Sequence, residues 1–364
     1  MKIAIVHDYL NQLGGAERVL EIMCDMFPDA PVYTLLADPD VITDPIRKHR
    51  IHESFIARLP LVKKHYKKYL LLFPTAIEQF DFSEYDVVLS SSSAFAKGII
   101  TKPDTKHICY CYTPMRYSWD LYHQYLGEDG PGGLYSKVLP FGMNYIRMWD
   151  QLTADRVDDF IAISEYVSKR IEKYYRRDSQ ILYPPANIER FTVLDQAQVE
   201  DFYLVVSRLL PYKRVDIVIE ACNEMNKPLV IIGDGYDRAR LEKLAGPTIK
   251  FMGYQPDHVI AEYYSKCNAF IFAGDEDYGL TPVEAQASGR PVVAFGRGGA
   301  LETVKENVTG LFFKQQTPES LIHTLEQFNV NDFDSQIIRA HSEKFGKQPF
   351  IDGLHKIIQD ALLK

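Results

Sequence analysis

The chain has 364 residues, 46% of them hydrophobic, and a formal net charge of -8. This length is enough for two domains of ordinary size, each with its own core. The acidic balance argues against nucleic-acid binding, which requires a basic domain. The five cysteines are scattered and lie mostly in apolar runs, which indicates buried thiols in a reducing compartment rather than a disulfide framework.

The first residues lead directly into an apolar strand, with no charged leader before a long apolar region. No later stretch approaches the roughly 18 uninterrupted apolar residues that a membrane span needs. We therefore expect a cytoplasmic protein that does not cross a membrane and is not secreted by a standard signal.

Short apolar strands alternate with helical patterns along the whole chain. The predicted strands are 3–6, 86–90, 107–112, 159–163, 202–206, 229–232, 249–251, 269–272 and 291–294. Strands that alternate with helices predict the α/β class, with parallel sheets covered by helices on both faces. Pro184 and Pro185 mark the best boundary, so we predict two Rossmann-like domains that face each other across a deep cleft, residues 1–184 and 185–345.

Ligands of open parallel sheets bind beyond the carboxyl ends of the strands, so the loops there carry the candidate residues. The first loop contains Gly14 and Gly15 and opens a helix. These glycines allow a phosphate or a sugar to approach the backbone, although such a pair more often marks a simple turn. The dinucleotide fingerprint G-x-G-x-x-G is absent after this strand, which argues against a nicotinamide-dependent dehydrogenase.

Residues 47–72 hold eight lysines or arginines against a single acid, Glu53, interleaved with apolar side chains. A basic amphipathic segment of this kind lies on an anionic membrane surface in some proteins. In many others a run of charges is simply a solvated helix face.

The first strand of the second half is followed by Arg208 and Lys213, which flank a proline-containing turn. Two cations in this place can clamp a diphosphate, and the alternative is a solvated basic turn. The next two loops contain Gly233 and Met252, whose main-chain groups suit a close ligand or a nucleobase edge. Tight strand-to-helix turns explain these two loops equally well.

Glu276 and Glu284 are separated by seven residues that include a Gly-Leu-Thr-Pro turn. Glu276 follows an apolar strand, where a carboxylate can hold sugar hydroxyls or face positive charge on a sugar ring. Glu284 falls about one turn into the next helix, where it can reach a ribose. The free N–H groups of Gly279, Leu280 and Thr281 form an anion pocket. The alternative is that both are ordinary helix-start carboxylates, which the helix dipole favours.

Together these motifs resemble the retaining glycosyltransferases of family 4, which have the GT-B fold. The resemblance covers nearly the whole chain and includes Gly14-Gly15, 163–166, 183–185, Arg190-Phe191, Arg208 with Lys213, 233–235, 251–253, 276–284, and Gly298-Gly299 with Glu302. It implies that Arg208 and Lys213 bind the donor diphosphate, Glu276 the donor sugar and Glu284 the ribose. It also implies a C-terminal helix within about 346–364 that crosses back to the first domain.

Residues 110–120 carry a narrower resemblance, to the bacterial mannosyltransferases of O-antigen and exopolysaccharide assembly. Tyr112 stands where that branch usually has a histidine, and in the wider family a histidine near this place contacts the donor sugar. The resemblance therefore implies that Tyr112 makes this contact, and that Arg116 lies on the acceptor side. His107 begins its strand and is expected to lie away from the ligand. The resemblance implies a GDP-mannose donor, with UDP-sugars next, and a lipid-linked or oligosaccharide acceptor. Because lipid-linked acceptors are common in the family, it favours contact of 47–72 with the inner face of the cell membrane.

The chemistry expected on this basis is hexosyl transfer with front-face retention, since no residue is placed as a nucleophile for double displacement. Asp275 and Asp277 form an Asp-x-Asp element. In other glycosyltransferases an element of this pattern binds a metal ion. Arg208, Lys213 and the helix N-terminus already supply positive charge, so we predict no metal and no cofactor besides the donor. A nucleotide-sugar epimerase and a non-catalytic GT-B partner subunit remain as alternatives.

Overall fold

The computed structural model describes residues 1–123 and 133–363. The chain divides into two compact units. Unit 1 comprises Met1–Tyr183 and Ile351–Lys364, and unit 2 comprises Pro184–Phe350.

Unit 1 is built on a parallel sheet of seven strands. They are β1 (Ile3–His7), β2 (Val32–Thr34), β3 (Ile51–Glu53), β4 (Val87–Ser92), β5 (Lys106–Cys111), β6 (Asp159–Ala162) and β7 (Gln180–Ile181), in the spatial order β3-β2-β1-β4-β5-β6-β7. Every residue of β1 and β4 is buried, as expected for central strands covered on both faces. The carboxyl ends of these two neighbouring strands therefore place Asp8 and Ser93 side by side.

The helices of unit 1 are α1 (Gly15–Met26), α2 (Asp44–Arg47), α3 (Val62–His65), α4 (Phe73–Glu78), α5 (Gly133–Thr153), α6 (Glu165–Tyr175) and the greater part of α14 (Lys347–Leu363). Two of them, α1 and α6, begin at side-chain capping contacts. The Ser164 hydroxyl accepts the Val167 N–H at the start of α6. At the start of α1, Glu17 at the third helical position caps the Gly14 N–H.

Unit 2 has a parallel sheet of six strands. They are β8 (Tyr203–Val206), β9 (Leu229–Ile232), β10 (Ile249–Gly253), β11 (Ala269–Phe272), β12 (Val292–Phe295) and β13 (Gly310–Phe313), in the spatial order β10-β9-β8-β11-β12-β13. Its helices are α7 (Val215–Glu224), α8 (Arg238–Leu244), α9 (Asp257–Lys266), α10 (Leu280–Ala287), α11 (Ala300–Thr303), α12 (Pro318–Gln327) and α13 (Ser335–Ser342).

Two apolar clusters cover the opposite faces of the second sheet. Along β8, Tyr203 and Val205 belong to one cluster and Leu204 to the other, which is the two-residue alternation of a strand buried on both sides. All nine strands predicted from the sequence are present, with bounds that move by at most two residues. The strands β2, β3, β7 and β13 were not predicted, because they are short or polar or begin with glycine.

The basic stretch 47–72 does not form one amphipathic helix. It is divided among the end of α2, β3, a 3-10 turn at Phe55–Arg58, α3 and a second 3-10 turn at Tyr66–Leu72. Most of its apolar side chains pack into the core of unit 1, namely Phe55, Ile56, Leu59, Val62, Tyr66, Tyr69 and Leu70. Among the described residues, no helix is both long and apolar enough to span a membrane.

The five cysteines are all buried and free. Cys109 and Cys111 lie on β5 within the sheet of unit 1, where they act as small core residues.

Candidate functional site

The structure joins Lys213 and Glu276, which the sequence analysis selected on separate grounds. Lys213 ends the 3-10 turn Pro211–Lys213 after β8, and Glu276 follows β11, the neighbour of β8 in the sheet. The Lys213 Nζ lies 2.5 Å from Glu276 Oε2, and both side chains are largely buried. Together with Ser207 and Gly274 they line a small depression at the carboxyl end of the sheet.

The loop that carries Glu276 is held by close backbone contacts. The Glu276 carbonyl accepts the Gly299 N–H at 2.9 Å. A Cβ atom at Gly298, whose φ is +64°, would lie 2.4 Å from the same carbonyl oxygen, and one at Gly299 would lie 2.2 Å from the Tyr278 Cα. Only glycine permits this approach, so Gly298 and Gly299 position the Glu276 loop.

Asp275 of the Asp-x-Asp element is paired with a cation. Its carboxylate lies 3.0 Å from Arg297 Nε. Within residues 1–123 and 133–363, no cluster of three or more histidine, cysteine or acidic side chains has the geometry to hold a metal ion.

Glu284 lies on α10, whose N-terminal cap is Gly279 with φ +86°. Its Oε1 lies 2.6 Å from Arg190 Nη2, and its Oε2 accepts a hydrogen bond of 3.3 Å from the Tyr264 hydroxyl. Arg190 belongs to the turn Ile188–Arg190, and Tyr264 to α9. Sequence patterns do not indicate the contacts of Arg190 and Tyr264 with Glu284, because only the fold brings three separate elements to one carboxylate.

Arg208 precedes Lys213 on the same loop, and its side chain is exposed. Its carbonyl accepts the Leu210 N–H and the Ser207 hydroxyl, which shapes the turn that ends at Lys213.

Gly233 and Met252 have local packing roles in the structure. Gly233 has φ +130°, and a Cβ there would lie 1.9 Å from the Ser207 carbonyl oxygen, so only glycine allows the loops after β8 and β9 to touch. Met252 lies at the irregularity in the pairing of β10 with β9. Its carbonyl accepts the Gln255 amide at 2.7 Å.

In unit 1, the Gly14-Gly15 turn is joined to a buried polar network. The Gly14 N–H donates to Glu17 Oε2 at 2.7 Å, and Glu17 Oε1 lies 3.7 Å from His7 Nε2. Burial opposes ionisation of Glu17, but hydrogen bonds from His7 and Gly14 outweigh it and hold the pKa of that carboxyl below its usual value. The Gly14 amide is thus already bound to a carboxylate, and Gly15 is the first residue of α1.

Tyr112 closes the same network from β5. Its hydroxyl donates to the Ala16 carbonyl at 3.0 Å and lies 2.9 Å from Ser91 Oγ, which in turn lies 3.0 Å from His7 Nδ1. Burial raises the pKa of Tyr112, so this phenol stays neutral. The tyrosine therefore supports the turn Gly14-Gly15-Ala16 through the main chain. Arg116 lies in the following turn, half-buried, where its carbonyl accepts the Leu121 N–H.

His107 does not substitute for the histidine that the resemblance expects near Tyr112. It is fully buried in β5, with Nε2 at 2.8 Å from Ser90 Oγ. Burial lowers the pKa of His107 to about 3, so the ring is a neutral core group.

Asp8 is a residue that the sequence analysis did not single out. Its buried carboxylate accepts five hydrogen bonds from the loop after β4. Oδ2 accepts from Ser93 N (2.6 Å), Ser93 Oγ (3.0 Å) and Ala94 N (3.0 Å), and Oδ1 accepts from Phe95 N and Ala96 N (2.7 Å each). The one available signal was an acid directly after an apolar strand, where burial would require such partners.

Comparisons with known proteins place these features in a family context. Residues 188–347, most of unit 2, match the family model "Glycosyl transferases group 1". The chain is 35% identical to a GDP-mannose-dependent alpha-mannosyltransferase of Mycobacterium tuberculosis over a stretch of 128 residues. This stretch covers 34% of each protein. It is 24% identical to an uncharacterized glycosyltransferase of Methanocaldococcus jannaschii over 212 residues. That alignment covers 56% of this chain and 60% of that relative. The matched stretches thus span a third to three fifths of these relatives.

Among solved structures, Anabaena HepE in complex with UDP has a TM-score of 0.70 and 17% identity, over 99% of this chain and 100% of that one. At this identity the likeness concerns the fold. It confirms the predicted fold class, α/β with two Rossmann-like domains as in GT-B glycosyltransferases.

Proposed function

We propose that this protein is a retaining glycosyltransferase. It transfers mannose, a hexose, from GDP-mannose to a lipid-linked or oligosaccharide acceptor. The reaction belongs to cell-surface polysaccharide synthesis. The observation that carries the proposal is the pairing of Lys213 with Glu276 beside the start of α10, in the segment that matches glycosyltransferases of group 1. A cation for the diphosphate, a carboxylate for the sugar and a helix N-terminus for phosphate then occupy neighbouring loops.

In the proposed reaction the donor separates Lys213 from Glu276. Lys213, Arg208 and the N–H groups at the start of α10 stabilise the departing diphosphate. The bond between the anomeric carbon and the phosphate oxygen breaks, and the acceptor oxygen bonds to the same face of the sugar. The diphosphate takes the proton of the acceptor hydroxyl, while Glu276 faces the positive charge that develops on the ring. In this scheme side-chain cations carry the role of a divalent ion, so the reaction is independent of metal.

The first test is thermal-shift titration with GDP, UDP, ADP and their common sugars, each with EDTA. A ligand that binds only the folded state stabilises it by mass action, by about 2.7 kcal/mol at a hundredfold excess over Kd, and so raises the melting midpoint. We expect GDP and GDP-mannose to stabilise the protein, and EDTA not to reduce the shift. The relative named GDP-mannose-dependent supports this choice of donor.

Other outcomes, of the thermal-shift panel and of product analysis with each sugar nucleotide, select the alternatives. A response to UDP-sugars alone would keep the mechanism and replace the donor, a possibility that the UDP complex of the structural neighbour supports. Conversion of the sugar nucleotide without an acceptor would indicate an epimerase. No response to any nucleotide would contradict a catalytic role and favour a non-catalytic partner subunit, and activity restored only by Mg²⁺ or Mn²⁺ after EDTA would contradict metal independence.

A lipid-linked acceptor requires access to a membrane surface, and we propose peripheral contact with an anionic membrane through 47–72. Within this stretch Lys63, Lys64, Lys67 and Lys68 are exposed, and so are Leu61, Leu71 and Leu72. No aspartate or glutamate occurs between residues 54 and 77. Exposed basic and apolar side chains together suit the inner face of the cell membrane.

Helix α5 extends this surface with an exposed apolar stripe. Phe141, Tyr145, Met148 and Leu152 recur at helical spacing and are 79%, 42%, 51% and 70% exposed. A Cβ at Gly142 on this helix would lie 3.2 Å from Leu71 Cδ2, so the stripe and the basic stretch adjoin. Apolar side chains at regular spacing beside lysines have the composition of an in-plane membrane contact.

Vesicle sedimentation tests this contact. We expect the protein to bind phosphatidylcholine vesicles that contain phosphatidylglycerol and to ignore vesicles of phosphatidylcholine alone. The variants Met148→Gln/Leu152→Gln and Lys67→Glu/Lys68→Glu should each bind at least about tenfold more weakly. The exposed pair Lys243→Glu/Lys250→Glu in unit 2 is the matched control. Binding by the variants at the level of the wild type would contradict the proposal.

A further inference from the structure

A cavity of about 680 Å³ opens at the amino edge of the sheet in unit 1. Its walls are formed by the segments that lead into β1, β2, β3 and β4, which are neighbours in the sheet. These four strands run parallel, so the cavity lies at the edge opposite to Asp8 and Ser93. Small-molecule sites have volumes of several hundred Å³. The cavity is therefore large enough for a ligand and separate from the loops at the carboxyl edge.

One part of the lining carries two cations. Lys48 and Arg50 directly precede β3, and both side chains are exposed. The Arg50 carbonyl accepts the Val32 N–H at 2.9 Å, so the backbone that carries this guanidinium is fixed to β2. Within residues 1–123 and 133–363, the side chains of Lys48 and Arg50 form no hydrogen bond and no ion pair. Both charges are available to an anion that enters the cavity.

Two neutral donors lie beside these cations. His52 stacks on its neighbour Tyr33 across β2 and β3, with the ring centroids 4.6 Å apart and the planes at 11°. In the part of the chain that the structure describes, neither ring nitrogen of His52 forms a hydrogen bond. Burial and the charge of Arg50 lower the pKa of His52, so near pH 7 the ring is neutral and keeps one N–H to donate. The Tyr85 hydroxyl lies 2.9 Å from that of Tyr33, and this bond uses only one of the two hydroxyl protons.

The rest of the polar lining consists of acceptors. Asp29 lies in the turn between α1 and β2, and Glu84 lies before β4, with its Oε2 3.8 Å from Lys2 Nζ. The C-terminal end of α1 also faces the cavity and adds partial negative charge. In the sheet, β2 and β1 separate β3 from β4, so the cations before β3 stand apart from Glu84. The cavity thus has a donor end and an acceptor end.

We propose that this cavity binds a sugar ring that carries a phosphate monoester. The phosphate, with a charge of about −1.5 to −2 near pH 7, faces Lys48 and Arg50, and the guanidinium gives it forked hydrogen bonds. The sugar hydroxyls donate to Asp29 and Glu84. A ligand with negative charge along its whole length is repelled by these carboxylates, and a neutral sugar leaves both cations unpaired. Free hexose phosphates and nucleoside monophosphates share this chemistry. The inference does not depend on the proposed function, because no residue of this lining takes part in the proposed transfer.

The test is calorimetric titration with mannose 6-phosphate, GMP, inorganic phosphate and mannose. We expect mannose 6-phosphate or GMP to bind at least about tenfold more tightly than phosphate or mannose alone, since hydrogen bonds to charged groups are made at both ends. The tighter of the two identifies the source of the ligand. Arg50→Gln should weaken this binding about tenfold, and Lys48→Gln should weaken it as well. Arg58→Gln, which removes an exposed arginine of the same unit outside the cavity, is the matched control and should bind as the wild type does.

The location of the ligand is tested separately. Hydrogen exchange at the amides of 49–53 should slow when the ligand binds, and Lys213→Ala should keep the full affinity. Unchanged binding by Arg50→Gln and Lys48→Gln would contradict the proposal, as would a loss of binding in Lys213→Ala alone. Inorganic phosphate that binds as tightly as both phosphorylated sugars, or no heat with any probe at millimolar concentration, would also overturn it. None of these results bears on the donor proposed for unit 2, which the nucleotide panel tests.

Discussion

Replacement of Lys213 by alanine is expected to lower kcat by about a hundredfold or more, with little loss of stability. Removal of one preorganised group that stabilises charge in the transition state typically costs 10² to 10³ in turnover, or about 2.7–4 kcal/mol. Lys213 lies 2.5 Å from Glu276 and is only 14% exposed, so its charge acts in a partly dehydrated site. Initial-rate kinetics with saturating donor and acceptor provide the measurement.

The stability of the Lys213→Ala variant should fall by only about 1 kcal/mol, because water reaches the partly exposed Glu276 that remains. Lys243→Ala, an exposed lysine on α8, serves as the control and should keep both kcat and the melting midpoint. A Lys213→Ala enzyme with normal turnover would remove Lys213 from the catalytic assignment. Equal losses of turnover and stability would make it a structural residue.

Replacement of Asp8 by alanine should give the largest stability loss, about 4 kcal/mol. The Asp8 carboxylate is 3% exposed and accepts the N–H groups of Ser93, Ala94, Phe95 and Ala96. Alanine would leave these donors buried without their acceptor, which costs far more than the net value of the bonds. For a unit of this size the melting midpoint should fall by about 10 °C.

Differential scanning calorimetry measures this shift, and hydrogen exchange at the amides of β1 and β4 assigns the transition to unit 1. Asp8→Asn should lie between wild type and Asp8→Ala, since an amide keeps one acceptor oxygen and turns its NH₂ toward donors. Asp104→Ala, which removes an exposed acid of the same unit, should change the midpoint little. A melting midpoint for Asp8→Ala close to that of Asp104→Ala would contradict the inferred role of the Asp8 carboxylate.

The hydrogen bonds of Asp8 and its neighbours also explain the shape of the first loop. Asp8, His7 and Glu17 bind the neighbouring loop, Ser91 and the Gly14 amide, respectively. These side chains tie the first loop to β4 and to the loop after β4, and Glu17 holds the Gly14 amide. Preorganised loops of this kind reduce the ordering cost when a ligand binds.

The sequence by itself determined the central strands of both sheets and the class of fold. Apolar runs such as 229–232 and 269–272 are recognised readily because a parallel strand buried on both faces often reads as a near-continuous apolar run. Turn chemistry was equally local. Gly279 and Gly298 have positive φ values that glycine adopts readily, and the helix after Gly279 begins where the sequence predicts. Edge strands such as β7, with two residues, lack enough periodicity to be recognised.

Only the tertiary structure decided which side chains meet. Lys213 faces Glu276 because β8 and β11 are neighbours, although β9 and β10 intervene in the sequence. Arg190 and Tyr264 reach Glu284 from two other elements, and nothing in their local sequence predicts that contact. Local patterns follow from the periodicity of strands and helices, whereas these contacts follow from strand order and packing, which chain-local interactions do not specify.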